Sequence, residues 1–101
     1  MTYIDELAEV LQQEISPDLL PDEDTGLLMR LYALLALVKG TDVSNADVHD
    51  AWSLWMLTRD PDHRSLKPFA ELDAETKASD TPFAEAIRSV ATDRPNAIRR
   101  S

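Results

Sequence analysis

The most constraining feature of this sequence is a run from Leu27 to Val38 that is apolar almost all the way round a helix. It reads LLMRLYALLALV, and Arg30 is its single charged residue. A helix without a polar face has to be covered by other elements. Twelve residues that include an arginine are too few and too polar to span a bilayer. The run therefore predicts the central helix of a small helical bundle.

Capping residues and hydrophobic spacing predict helices on both sides of this run. Thr2 is a good N-cap for a first helix that reaches about Ile15, where Ser-Pro stops it. Gly40 follows the apolar run at the position where glycine commonly ends a helix. Ser44 and Asp47 have the spacing of a capping box, so a third helix is expected to run from there to about residue 58.

The second half of the chain is expected to be looser. Two prolines lie between residues 59 and 70, which predicts a loop, and a short helix is expected over 71–78. A last helix is expected to begin with Pro82 at its first helical position, after Asp80 and Thr81. Its inward-facing side chains are predicted to be Phe83, Ile87 and Val90.

Length and composition complete the fold prediction. The 101 residues fit one compact all-α domain of four or five helices over 1–92, followed by a flexible basic tail at 93–101. The chain has no cysteine, which excludes a disulfide scaffold or a thiolate zinc site. The N-terminal residues are acidic, whereas the N-terminal region of a signal peptide is basic. No apolar run is long enough to cross a membrane. A cytoplasmic protein is therefore expected.

The charge distribution limits the partners that the chain can have. The net charge is −9, and residues 1–26 hold eight acidic residues with no Lys or Arg. Duplex nucleic acid would be repelled, because its non-specific affinity comes from Lys and Arg. A helix-turn-helix reading helix would also present Asp47 and Asp50 to phosphates. The acidic segment suits docking on a basic host protein, with DNA mimicry as the extreme case.

A segment over residues 47–83 resembles the ryanodine-receptor-type (RyR) domain. The helix motif of that family is similar to DVHDAW at 47–52, and its proline block is similar to HRSLKPFAEL at 63–72. The family motif continues with an acidic helix that ends in an aspartate, and DAETKASD at 73–80 is similar to this helix. The chain departs from the family in its connector, since only six residues separate Met56 from His63.

The resemblance implies an RyR-like portion over 43–91 and a function in ligand sensing without catalysis. It implies a nucleotide-type ligand and a free-standing protein of actinobacterial or phage type that acts in phage–bacterium conflict. Such a ligand needs an aromatic face and cations for phosphate. Four of the chain's twelve basic or imidazole side chains lie between 59 and 67. The candidate binding residues are His49, Trp52, Trp55, Arg59, His63, Arg64, Lys67 and Phe69.

Each of these residues also has a purely structural interpretation. His49 could tie its helix to the following loop, and Trp52 could be a core residue instead of a stacking platform. Trp55 could be buried or could line a partner surface. Phe69 is expected to be buried and to pin the loop on the third helix. The charges of Arg64 and Lys67 could simply be solvated, like most loop charges.

No pattern in the sequence predicts catalysis. The chain lacks a G-x-S-x-G elbow, a P-loop and H-E-x-x-H, and His49 with Ser53 lacks an orienting third group. No metal or cofactor is expected, and Asp60 and Asp62 are interpreted as loop caps. A non-enzymatic binding domain is therefore predicted, with the acidic docking module as the alternative. The leucine-rich surface is compatible with a homodimer.

Overall fold

The fold is described by a computed structural model that covers residues 2–93. Over these residues it contains five α-helices and no β-strand, so the predicted all-α bundle is confirmed. The helices are α1 (Tyr3–Glu14), α2 (Thr25–Val38), α3 (Asn45–Leu57), α4 (Ala74–Ala78) and α5 (Thr81–Asp93). Short 3-10 turns lie at Pro17–Leu19, Gly40–Asp42 and Phe69–Glu71. The predicted basic tail lies outside the described residues from position 94 onward.

The helix boundaries follow from side chains that satisfy exposed backbone groups. Thr2 and Asp5 form a reciprocal capping box at α1, and Ser44 and Asp47 form another at α3, both as predicted. In each box a side-chain oxygen accepts a hydrogen bond from a backbone N–H that the first helical turn leaves free. Gly40 has a φ of +58°, the left-handed conformation that glycine adopts without strain after a helix.

Helix α2 is the centre of the bundle, as its apolar sequence predicts. It packs against α1, α3 and α5, and Met29, Ala33 and Ala36 on it are completely buried. The prediction of burial all round was wrong on one side, because Leu34 and Val38 are exposed. The bundle has too few helices to cover the whole circumference of α2.

The core joins both halves of the sequence. Leu11 of α1, Val48 of α3 and Ile87 and Val90 of α5 are buried in the same cluster as the α2 side chains. Phe83 is half-buried against this cluster. Helix α5 begins at Thr81, so the proline expected in its first position occupies the second. None of the helices over residues 2–93 combines the length and the apolar character that a membrane span requires.

Candidate ligand-binding cavity

The main cavity of the domain has a volume of about 630 Å³ and lies between α2, α3 and the start of α5. The segment before α2 and the connector after α3 complete its walls. Most of the lining is apolar or aromatic, from Leu20, Leu28, Tyr32, Trp52, Met56 and Phe83. Its titratable lining residues are Asp18, Tyr32, His49, His63 and Asp80.

Trp52 forms one wall of the cavity between two histidines. The His49 ring stacks on it at 5.6 Å between centroids, and the His63 ring meets it edge-on at 5.1 Å. The indole is half-buried rather than enclosed in the core. Of the two interpretations of Trp52, the structure therefore favours a cavity wall with an accessible aromatic surface.

His49 is almost fully buried, with 3% of its surface exposed. Its Nε2 donates a hydrogen bond to the backbone carbonyl of Lys67 at 2.7 Å, which ties α3 to the connector. A carbonyl can only accept, so the proton of the neutral ring lies on Nε2. Ser53 Oγ lies 3.4 Å from the same nitrogen, which is already used as a donor and cannot act as a base for that hydroxyl.

His63 is held in a defined orientation by its own connector. The backbone N–H of Ser65 donates to His63 Nδ1 at 3.0 Å. An imidazole nitrogen that accepts a hydrogen bond carries no proton, so this contact favours the neutral ring with its proton on Nε2. The two histidines of the cavity therefore differ, since His63 Nδ1 accepts a hydrogen bond and His49 Nε2 donates one.

Asp80 is the unusual residue of the cavity. It immediately precedes α5, and its Oδ2 is buried and has no hydrogen-bond partner among the described residues. Burial raises the pKa of this carboxyl from 3.8 to about 6, and the nearby His49 ring partly opposes the increase. A buried acceptor without a donor is destabilising, so its presence in a cavity wall needs an explanation.

Tyr32 and Phe83 form the aromatic wall that adjoins Asp80. Their ring centroids are 5.5 Å apart at an interplanar angle of 47°. Burial, together with the negative charge of Asp80, raises the pKa of the Tyr32 hydroxyl well above its usual value. The phenol is therefore neutral at physiological pH and can both donate and accept a hydrogen bond.

Trp55 and Arg59 belong to a separate, structural cluster. Trp55 is 4% exposed, and its indole N–H donates to the backbone carbonyl of Asp24 at 3.1 Å. The Arg59 guanidinium lies over the Trp55 ring at 5.1 Å and pairs with Glu23 and Asp24. Only part of Trp55 reaches the cavity wall. The structure thus uses this arginine to hold α3 against the start of α2.

The other two cations of the 59–67 cluster lie outside the cavity lining, in a depression that shares Ser65 and Thr76 with it. Arg64 and Lys67 are exposed and line a smaller depression of about 230 Å³ with Asp73 and Thr76. Phe69 was expected to be buried, but it is only half-buried. Its ring lies 6.2 Å from that of His49, so it does pin the connector on α3 as predicted.

The structure brings together half of the residues predicted as a binding site. His49, Trp52, Trp55 and His63 line the cavity, whereas Arg59, Arg64, Lys67 and Phe69 do not. Sequence reasoning missed Tyr32, Phe83 and Asp80. Asp80 was interpreted as the aspartate that ends the acidic segment 73–80, and no local pattern reveals that its Oδ2 has no hydrogen-bond partner among the described residues.

The cavity wall does not have the predicted positive charge. No Lys or Arg side chain is among the described residues that line it, and Asp18 and Asp80 both carry carboxylates. Across residues 2–93, no group of three or more His, Asp or Glu side chains is arranged to hold a metal ion. The cavity is therefore an apolar and aromatic space with two carboxyl groups and two imidazoles.

The comparison with family models identifies a small helical domain family. The model described as "Domain of unknown function (DUF7701)" matches residues 2–92. This match covers most of the chain, and the chain therefore belongs to that family. Neither the search of curated proteins nor the search of solved structures found a match.

The identification of residues 47–83 as RyR-like was wrong. The chain belongs to a different family, whose model includes the N-terminal helices that the resemblance left without a counterpart. Within this segment, His49 bonds the connector at Lys67 and its ring lies near that of Phe69.

Proposed function

We propose that this domain binds a small organic molecule in the cavity beside Trp52 and catalyses no reaction on it. The observation that carries the proposal is the buried Asp80 oxygen, which lacks a partner in the wall of a largely apolar space. Pockets of about 300–1,000 Å³ with apolar walls and few polar groups are typical of small-molecule sites. The volume of about 630 Å³ falls within that range.

The arrangement of polar groups supports binding without chemistry. A nucleophile needs an adjacent base with a free lone pair. The Nε2 atom of His49 donates to Lys67, and the Nδ1 atom of His63 accepts from Ser65, so both contacts serve the fold. The chain also has no cysteine. The polar groups of the cavity are therefore suited to recognition.

The charges in the cavity favour a ligand without phosphate groups. A phosphate is normally bound by Arg or Lys or by several N–H donors. In this domain a phosphate would meet the carboxylates of Asp18 and Asp80, and the Arg59 guanidinium is paired with Glu23 and Asp24 outside the cavity. The proposed ligand is thus not a nucleotide.

A fragment screen by ligand-observed NMR tests the proposal. We expect several aromatic fragments to bind, and the Trp52→Ala variant to lose them because the stacking wall is removed. Leu54→Ala is the matched control, since Leu54 lies on the same helix but is 56% exposed and lies outside the cavity lining. A library that yields no binder to the folded wild-type protein would contradict small-molecule binding.

The acidic N-terminal surface favours a second candidate function, docking on a basic protein. Seven of its acidic side chains are exposed, and two of these pair with Arg59 (Glu23 and Asp24), which leaves Glu6, Glu9, Glu14, Asp18 and Asp22. Opposite charges accelerate and orient such association, and salt screens them. A lysine-rich helical peptide should bind in 1:1 stoichiometry, more weakly at high salt, and more weakly still to the Glu6→Gln/Glu9→Gln variant. Equal affinity of that variant would argue against docking at this surface.

A further inference from the structure

We infer that the ligand of this cavity is an organic cation, a protonated primary or secondary amine or a guanidinium on an aromatic or apolar body. Its N–H group would donate to the Asp80 carboxylate, which lines the cavity. This inference rests on the proposed function, because it specifies the class of molecule that the cavity binds.

The first argument is the unsatisfied bonding capacity of Asp80. Its Oδ2 is shielded from solvent and receives no hydrogen bond over residues 2–93, although α5 begins at the next residue. An ionised carboxylate can only accept hydrogen bonds, so the missing partner has to be a donor. A charged N–H donor forms a stronger bond with a carboxylate than a neutral donor does.

The second argument is the sign of the charges that face Asp80. Asp18 lies on the segment before α2, Tyr32 on α2, His49 on α3 and His63 on the connector. The Tyr32 phenol is neutral, and the Ser65 N–H that donates to His63 Nδ1 fits a neutral ring at that position. No Lys or Arg side chain is among the described residues that line the cavity, so the acidic groups of its wall face no permanent cation. A cation is attracted into this space, whereas an anion is repelled.

The third argument is the nature of the walls. Trp52 and Phe83 are half-buried and line the cavity with aromatic rings, and the faces of such rings attract cations. Leu28 and Met56 supply apolar surface for the rest of the molecule. A quaternary ammonium would use the rings but has no hydrogen to donate. The combination of rings with an unpartnered carboxylate selects a cation that carries an N–H group.

Calorimetric titration with three ligands of similar shape tests the inference. The probes are 2-phenylethylamine, 2-phenylethanol and 3-phenylpropionate, which are cationic, neutral and anionic at pH 7.5. We expect the amine to bind at least about tenfold more tightly than the alcohol, and the carboxylate to bind most weakly. Asp80→Asn should bring the amine to the affinity of the alcohol and leave the alcohol unchanged. Asp50→Asn, at an exposed position of α3 outside the cavity, should change neither.

A pH arm with the wild-type protein makes the test independent of any variant. Amine affinity should decrease about tenfold between pH 7.5 and pH 5, because the Asp80 carboxylate is neutralised over this range. The affinity of the alcohol should change much less. Equal binding of amine and alcohol at pH 7.5 would overturn the cation inference and leave small-molecule binding intact. If no probe binds and the fragment library is also silent, both ideas fail.

Discussion

Two regions on either side of α3 combine tryptophan with carboxylates, and they differ in how those carboxylates are satisfied. At the start of α2, Asp24 and Glu23 pair with Arg59, which also covers the ring of Trp55. In the cavity, Asp80 lies near Trp52 without a cation from the described part of the chain.

The difference separates a structural cluster from a candidate binding site. In the first region the guanidinium of Arg59 pairs with the carboxylates, and these contacts hold the end of α3 against the start of α2. In the second region an acceptor and an aromatic wall remain unused by the fold. The arginine contact even illustrates the chemistry that we propose for the cavity, a planar N–H cation between a carboxylate and an indole.

The largest change in the free energy of unfolding is expected for Trp55, and it should distinguish Trp55 from Trp52. Trp55→Ala removes a 4%-exposed ring and its hydrogen bond to Asp24, so we expect the free energy of unfolding to fall by about 3–5 kcal/mol. Trp52→Ala removes a half-buried ring and should cost only about 1–2 kcal/mol. Urea denaturation measures both values. Equal losses would show that the two regions are packed alike.

His49 should produce the next largest effect. His49→Ala leaves the carbonyl of Lys67 without its buried donor and opens a space beside Phe69. We expect a loss of about 2 kcal/mol in the free energy of unfolding. His49→Gln retains an N–H donor and should recover part of that stability in the same assay. A Gln variant no more stable than the Ala variant would mean that the hydrogen bond contributes little.

Substitution of Asp80 should change the free energy of unfolding by less than the substitutions above, and it should raise it rather than lower it. The size of this effect should depend on pH. Its pKa is about 6 in the folded protein and 3.8 in the unfolded chain. The stability that its proton gives is complete below pH 3.8 and is lost as the pH rises through 6. Asp80→Asn should therefore be more stable than the wild type by about 1 kcal/mol at pH 8, because solvent screens the half-buried group. The difference should shrink or reverse at pH 4.

Thermal unfolding at a series of pH values measures this difference. A stability difference that is constant from pH 4 to pH 8 would show that Asp80 does not titrate in that window. The comparison between variants is needed because other carboxyls titrate too. The hydrogen bond from Arg30 and the capping contacts of Thr2 hold the pKa of Asp5 at about 2, and its contribution is lost in acid.

Arg59 should produce the smallest effect. Arg59→Gln removes two ion pairs and a cation–π contact at a partly exposed position. We expect a loss of about 1 kcal/mol that decreases when salt is added, because screening weakens the ion pairs of the wild type. Urea denaturation at low and high ionic strength provides the measurement. A loss that does not depend on salt would assign the effect to packing on Trp55.

The helical framework could be predicted because its determinants are local. Ser44 and Asp47, or Gly40 after α2, specify a helix end through backbone geometry alone. The positions of Trp52 and Trp55 could not be predicted in this way, since both flank one broad stripe of α3. Which ring is enclosed depends on Asp24. Its backbone carbonyl accepts a hydrogen bond from Trp55, which is 31 residues later in the chain. Its carboxylate pairs with Arg59, which is 35 residues later.

The site was predicted only in part for the same reason. The concentration of basic residues at 59–67 is a fact of sequence, but Arg59 is used by distant acids and Arg64 faces another depression. The relevant property of Asp80 is that its buried Oδ2 has no hydrogen-bond partner among the described residues, and no sequence pattern indicates a missing partner. The family resemblance was misleading because its motif covers residues 47–83 rather than the whole domain.

The titration of the Asp80 carboxyl by carbon-13 NMR tests the central claim most directly, with Asp80→Asn to assign the signal. We predict a midpoint near pH 6 in the free protein, because burial raises the pKa of this group. Saturation with 2-phenylethylamine should move the midpoint to lower pH, since a bound cation stabilises the charged form. The contrary result would be a midpoint near pH 3.8 that does not change when the amine is added. It would contradict the claim that Asp80 is a buried acceptor that binds a cationic donor.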